Sequence, residues 1–324
     1  MYPRKERPNY GVFIRSQIES LSRHGVASEV VQIPGDGSKL NYLWALAMLP
    51  GRARARPYDL LHIHFGYTAL AAIGIRHLPS VLSFCGSDLL GQPDEAGRSS
   101  RYSLALARLS KYAARRSQAV IVKSDEMARA LGPGYADVAV IPNGIDLELF
   151  QPLPRQQARA ALGWPQDEAI LLFPADRREP RKNFSLAKAV HERLLSGGRT
   201  IRLESLYGRP QSDIVLAMAA ADVMLSCSSQ EGSPNVVKEA MAMNLPIVAT
   251  NVGDCAERLM GVRSCAVPPT DLDAFVAATA AILDAGNRSN GRDYVQQLSL
   301  DAIARRILVV YRRAIARFIA SGAA

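Results

Sequence analysis

Residues 222–228 (DVMLSCS) and 231–250 (EGSPNVVKEAMAMNLPIVAT) run apolar, then turn-forming, then helical, then apolar again. This order predicts a strand, a tight turn, a helix and a second strand. In open α/β sheets ligands gather where strands end and helices begin, because the free N–H groups of a helix start attract anions such as phosphate. Pro234 suits the first helical position, where its missing N–H has no partner to lose. Gly232 lets the backbone approach a ligand closely. Glu231 and Glu239 stand eight positions apart around this helix start. Carboxylates repel phosphate but accept hydrogen bonds from hydroxyls, so a ligand carrying both phosphates and sugars would use both halves. On the residues alone, a solvated helix whose acids cap it or pair with Lys238 serves equally well.

A second element points to the same ligand. AILLFPAD (169–176) reads as a buried strand, followed by RREPRKN (177–183) and the helical FSLAKAVHERLL (184–195). Arg177, Arg178, Arg181 and Lys182 cluster after the strand, where an Arg fork and a Lys point charge suit a diphosphate. The alternative is a basic loop in solvent.

The 231–250 block, with VGD after it, resembles the E-x7-E signature of retaining glycosyltransferases of family 4, and in particular bacterial surface-polysaccharide enzymes of the teichuronic acid type. The resemblance implies an α/β GT-B architecture, two Rossmann-like parallel-sheet domains facing across a cleft. It gives Glu231 to the donor sugar and Glu239 to the ribose hydroxyls, with backbone contacts from Gly232, Pro234 and Asn235. An Arg and a Lys five residues apart stabilise the leaving diphosphate in that family. Arg177 and Lys182 match, and a one-residue shift puts Arg178 in place of Arg177.

The first half carries further parts of the resemblance. HIHFGYTA (62–69) is similar to an H-x-H motif on the acceptor side, which nominates His64, although a buried structural histidine fits as well. FCGSDL (84–89) is similar to an HGSD block, which adds Asp88 on the acceptor side and Cys85 and Gly86 as donor contacts. Cys85 stands where many relatives have histidine, and a thiol is a weak donor. Gly11 matches the last glycine of a donor-binding loop otherwise supplied by MYPRKERPNYG, and IPNGID (141–146) resembles the interdomain turn. Nothing ahead of that loop supplies the strand that relatives begin with, so the first sheet is expected to lack it.

Strands alternate with helices throughout, the pattern of parallel sheets. The expected strands are VVQIP (30–34), DLLHIHF (59–65), SVLSFCG (80–86), QAVIVKS (118–124) and VAVIPNG (138–144), then AILLFPAD, IRLESLYG (201–208), DVMLSCS, LPIVATN (245–251) and SCAVPP (264–269). This predicts an N-terminal acceptor-side domain over 1–150 and a nucleotide-sugar-binding domain over 168–300, with residues 151–168 as linker. The amphipathic helix of 301–324 is expected to pack back toward the first domain.

With 324 residues, 48% of them hydrophobic, the chain has room for two large cores. No apolar run reaches the length of a membrane span, no signal peptide is read at the start, and four scattered cysteines suit a reducing cytosol. The net charge of +9 gathers in RARAR (52–56) and in an expected amphipathic helix over 98–116, with Arg101, Arg108, Lys111 and Arg115. Both suit an anionic membrane surface, which would place the protein peripherally on the inner face of the cell membrane. No nucleic-acid motif accompanies them. No G-x-G-x-x-G follows a strand and no P-loop is present. Asp271 and Asp273 read as a helix cap rather than a metal pair, so neither cofactor nor metal is expected.

These readings converge on a metal-independent hexosyltransferase of retaining type. Its donor would be a nucleotide-diphosphate sugar and its acceptor a saccharide or lipid-linked hydroxyl, in surface polysaccharide or glycolipid assembly. A degenerate GT-B scaffold, or a sugar-nucleotide epimerase or hydrolase, are the alternatives.

Overall fold

The structure is a computed structural model that describes residues 2–3, 11–33, 38, 40–93 and 98–322. The chain divides into two compact units, one of residues 1–92, 99–144 and 300–324, the other of 93–98 and 145–299.

The first unit runs α1 (Val12–Ser22), α2 (Leu40–Arg54), β1 (Leu61–His64), α3 (Gly66–Ala71), β2 (Ser80–Ser83), α4 (Ser87–Leu90), α5 (Arg101–Ala114), β3 (Ala119–Val122), α6 (Asp125–Leu131) and β4 (Val138–Val140). Its sheet has the order β1-β2-β3-β4, all parallel. Val81, Leu82, Val120, Ile121 and Val122 are fully buried, as strands covered on both faces must be. Alternate residues divide the faces. Ile63, Leu82, Phe84, Val120 and Val122 join one core with Ala69 and Ala72 near α3 and Ala113 and Ala114 of α5. The opposite face meets α1, through Gln17 at His64, and the last helix of the chain, through Tyr311 at His62. Gly66 is required by this packing, since a Cβ there would lie 2.6 Å from the Ser110 side chain.

The second unit runs α7 (Arg155–Leu162), β5 (Ala169–Phe173), α8 (Phe184–Ser196), β6 (Ile201–Ser205), α9 (Gln211–Ala220), β7 (Val223–Ser226), α10 (Asn235–Ala242), β8 (Ile247–Ala249), α11 (Cys255–Leu259), β9 (Cys265–Ala266), α12 (Leu272–Ala285) and α13 (Gly291–Tyr294). The sheet order is β6-β5-β7-β8-β9, again all parallel. Helix α14 (Leu300–Ala320) then belongs to the first unit, where Ser20 of α1 donates to the Leu300 carbonyl and His24 meets Asp301 at 2.7 Å.

Nine of the ten expected strands form, and VVQIP does not. Residues 30–33 have no regular structure, and Pro34 lies outside the described residues, as do 4–10 of the expected donor loop. Among the described residues no strand precedes β1, so β1 is a sheet edge. Glu29, just ahead of this segment, is engaged by Arg52, Arg56 and Tyr58.

The expected linker over 151–168 is also corrected. Its middle forms α7, whose Arg159 is only 2% exposed. The Arg159 guanidinium donates to the carbonyls of Ala220, Pro165, Gln166 and Glu168 and lies 2.6 Å from Asp222, which also accepts the Ile170 N–H. This network ties α7 to the starts of β5 and β7. Without Arg159 four carbonyls lose their donor and Asp222 keeps only the exposed Arg155 as an ion-pair partner, so Arg159→Met is expected to cost about 3–5 kcal/mol. The check is the denaturant midpoint of the second unit, and an unchanged midpoint refutes it.

Candidate functional site

β5 and β7 are adjacent parallel strands, so the loops leaving their C-terminal ends emerge side by side. After β5 the chain makes a single 3-10 turn (Pro180–Lys182), and Asn183 in the left-handed region (φ 51°) redirects it into α8. After β7 it passes through Ser228 and Glu231 to Pro234, which precedes α10 in an extended conformation. The two loops are stitched together: Ser229 N–H donates to the Arg181 carbonyl, and Arg181 Nη1 donates to the Gln230 carbonyl.

Glu231 is the centre of the site. Lys182 Nζ lies 2.6 Å from its Oε1, Arg181 Nη1 2.7 Å from its Oε2, and Ser228 donates to Oε1 at 2.9 Å. Burial opposes ionisation of this carboxyl, yet Lys182 and Arg181 outweigh it and hold Glu231 below the usual carboxylate range. A small open pocket is lined by Lys182, Ser228 and Glu231 together with Phe173, Ser226, Cys227 and Pro234.

A third loop buttresses the second. Thr250 donates to the Ser228 carbonyl at 2.6 Å, and Ser233 to Asp254 at 2.9 Å. Gly253 (φ 60°) lies so close to Gly232 that a Cβ would sit 2.8 Å from the Gly232 carbonyl oxygen. Lys238, fully buried, donates to Ser233 at 3.1 Å. Glu239 is half-buried in the second turn of α10, and burial raises its carboxyl to about 7, against a smaller opposing effect of Lys238. Asn235 opens that helix.

The expected cations separate. Lys182 is on Glu231, whereas Arg177 is exposed, stacked over the Phe184 ring at 4.9 Å with a weak 3.5 Å donation to the Leu203 carbonyl. Arg178 is held by Asp176 and Tyr207. The arginine that reaches Glu231 is Arg181, a member of the basic cluster to which the five-residue spacing gave no role. The cue was its position directly before Lys182 in a turn. Thr250, Gly253 and Asp254 were likewise visible only as the residues after the second strand. Asp271 caps α12 by accepting the Ala274 N–H, and Asp273 pairs with Arg193.

In the first unit the expected residues gather at the C-terminal ends of β1 and β2. Asp88 is fully buried and its two oxygens accept N–H groups of Gly66, Cys85 and Gly86, so it ties the backbone together instead of facing an acceptor. Burial pushes the Asp88 carboxyl up against the opposing effect of those N–H groups. The Cys85 thiol is pushed up to about 12, first by burial and then by Asp88. His62 is lowered to about 3 by burial and bridges Tyr311 and Ser83. His64 stacks on His62 at 4.1 Å, and burial keeps it neutral. Gly11 sits at the N-terminus of α1 in the left-handed region (φ 74°), with its carbonyl accepting the Ile14 N–H.

Comparison with known proteins agrees with this arrangement. The family described as Glycosyltransferase Family 4 matches residues 4–149, and Glycosyl transferases group 1 matches residues 186–285. The putative teichuronic acid biosynthesis glycosyltransferase TuaC of Bacillus subtilis is 26% identical over 243 residues, covering 68% of this chain and 60% of that protein. A D-inositol 3-phosphate glycosyltransferase of Mycobacterium marinum is 27% identical, covering 62% of this chain and 51% of its own length. The chain thus spans between half and three fifths of these curated relatives. The sucrose-phosphate synthase of Thermosynechococcus elongatus superposes with a TM-score of 0.77 at 20% identity, covering 94% and 93% of the two chains. The Anabaena HepE protein in complex with UDP gives 0.66 at 19%, covering 93% and 96%. At such identities the superpositions establish a shared GT-B fold. The chain carries the family 4 glycosyltransferase pattern across its first unit and the group 1 pattern across its second.

Proposed function

We propose that this chain is a retaining glycosyltransferase that moves a sugar from a nucleotide-diphosphate sugar to an acceptor hydroxyl, in surface polysaccharide or glycolipid assembly. The observation that carries the reading is the 2.6 Å pairing of Lys182 with Glu231 at the joined ends of β5 and β7, beside the start of α10. As the glycosidic bond ionises, negative charge grows on the departing diphosphate. Lys182, with Arg177 free of any carboxylate partner, would stabilise it. Glu231 keeps acceptor capacity on Oε2 for hydroxyls of the donor sugar, because a carboxylate offers more lone pairs than the three groups on it consume. Glu239 would accept from the ribose. No protein nucleophile is assigned, and the acceptor hydroxyl enters from the leaving-group face. The second unit takes donor recognition and the first takes the acceptor.

Glu239 sets a pH dependence. Its folded value of about 7 exceeds the ordinary 4.5, so the free protein loses stability as pH climbs between those values, and Glu239→Gln removes that loss. The ionised form accepts from ribose hydroxyls, and the diphosphate diester of the donor does not titrate in this range. Donor affinity, read by calorimetry across a panel of nucleotide sugars, is expected to tighten as pH rises through about 7. The Glu239→Gln variant should bind more weakly at the alkaline end with a flat profile. A flat wild-type profile rules out this role.

Turnover is expected to fall about 10²–10³-fold in Lys182→Ala and in Glu231→Ala, the usual cost of one preorganised electrostatic contact. The measurements are release of nucleotide diphosphate and a thermal midpoint confirming the fold. A non-catalytic scaffold would show no stabilisation by any nucleotide diphosphate.

Peripheral attachment to an anionic membrane is part of the proposal, and α2 supports it better than the expected helix. Leu40, Leu43, Trp44 and Met48 of α2 are 69%, 63%, 59% and 53% exposed, with Arg54 at the helix end. In α5, by contrast, Lys111 turns inward to the Ala130 carbonyl. No helix among the described residues is long and apolar enough to cross a membrane. Co-sedimentation with phosphatidylglycerol vesicles is expected to exceed that with phosphatidylcholine and to drop in Leu43→Ser/Trp44→Ser. Equal pelleting of wild type and variant would exclude α2 as the contact.

A further inference from the structure

The face of the first sheet that meets α1 and α14 is polar. In a parallel ladder paired residues point the same way, and His64 pairs with Ser83. Ser83 pairs in turn with Ile121. The ladder continues past these pairs, with Phe84 N–H donating to the Ile121 carbonyl and Ile141 N–H to the Val122 carbonyl. Two residues on, Cys85 and Lys123 therefore stand level with each other on the face of His62, His64 and Ser83.

Lys123 is 3% exposed and makes no hydrogen bond or ion pair with any described residue. Asp88 offsets this charge through space but spends its oxygens on three backbone N–H groups, so it supplies no direct contact. On the same face, His64 Nδ1 is buried without a partner, and its Nε2 reaches only Gln17 at 3.5 Å. His62, by contrast, is satisfied at both nitrogens. A buried ammonium without a hydrogen-bond acceptor is costly, and burial lowers the Lys123 pKa against smaller opposing effects of Cys85 and Asp88. A fold retains such a group where something arrives to satisfy it.

We propose that Lys123, with His64 beside it, forms an oxyanion-binding subsite in the first unit that takes a phosphate or carboxylate group of the acceptor. Only the word acceptor rests on the transferase reading; anion binding does not. An ammonium and an N–H of a neutral imidazole both donate, and together they match an oxygen anion.

The test uses the full chain labelled with nitrogen-15 at histidine, titrated with inorganic phosphate and, separately, with acetate at fixed ionic strength. The His64 ring signals are expected to shift saturably with at least one of them. The anion that saturates at lower concentration identifies phosphate or carboxylate as the acceptor group. The shift is expected to vanish in Lys123→Met and to persist in Lys123→Arg and in Lys182→Ala, which leaves the first unit untouched. No saturable shift with either anion, or an equal shift in Lys123→Met, would overturn the subsite. Saturable anion binding in a protein that ignores every nucleotide diphosphate would instead sink the transferase reading and leave this site standing.

Discussion

A carboxylate taken out of water is tolerated only with partners, and the partners of Glu231 decide how the ligand end of the second unit is built. Lys182, Arg181 and Ser228 hold it from two different loops, so the turn after β5 and the turn after β7 cannot move independently. Arg181 is shared with Glu179, which leaves two cations against two acids and a set that is close to neutral. A diphosphate needs further positive charge. In the same turn Arg178 is committed to Asp176, whereas Arg177 is exposed and held mainly by a ring. The contact absent between Arg177 and Glu231 is consistent with a role toward phosphate, where a guanidinium locked to an acid would serve less well.

The order of strands and the ligand end of the second unit were legible because each element there carries a local signal. Apolar runs in parallel sheets are buried on both faces and stand out, and Gly, Pro and Asn mark the turns between them. What escaped was decided by tertiary partners. VVQIP has strand composition, but a strand exists only beside another, and Glu29 is pulled to the arginines and tyrosine after α2. Residues 151–168 look polar and Pro-punctuated, yet the polar residue at their centre is a buried arginine serving four carbonyls and an aspartate. Asp88 illustrates the same limit: the motif fixed its place, while the two half-turns it clasps fixed its work.

The charge balance is reinterpreted in the same way. Arg159, Arg288 and Arg292 donate to main-chain carbonyls inside the second unit, Arg292 closing on Phe150, Ala242 and Leu147. Such arginines count toward the +9 of the chain without contributing a free cationic surface. They replace water at strand and helix ends, where carbonyls lack intrahelical partners. What α2 offers to solvent is accordingly apolar side chains rather than a basic surface.

The two sheets offer an internal control on the polarity of the first. Both are parallel, both are covered by helices, and in the second sheet Ile170, Leu171, Leu172, Phe173, Val223, Met224 and Leu225 fill both faces of the central strands with apolar atoms. The architecture thus has no need of His62, His64, Ser83 and Lys123 on a buried face. Tyr311 and Ser83 satisfy His62, which accounts for part of that cluster as ordinary hydrogen bonding under α14. Among the described residues no hydrogen-bond partner accounts for Lys123 or for Nδ1 of His64. Stability alone would favour apolar side chains at both positions, so their presence is an argument about ligand recognition and not about folding.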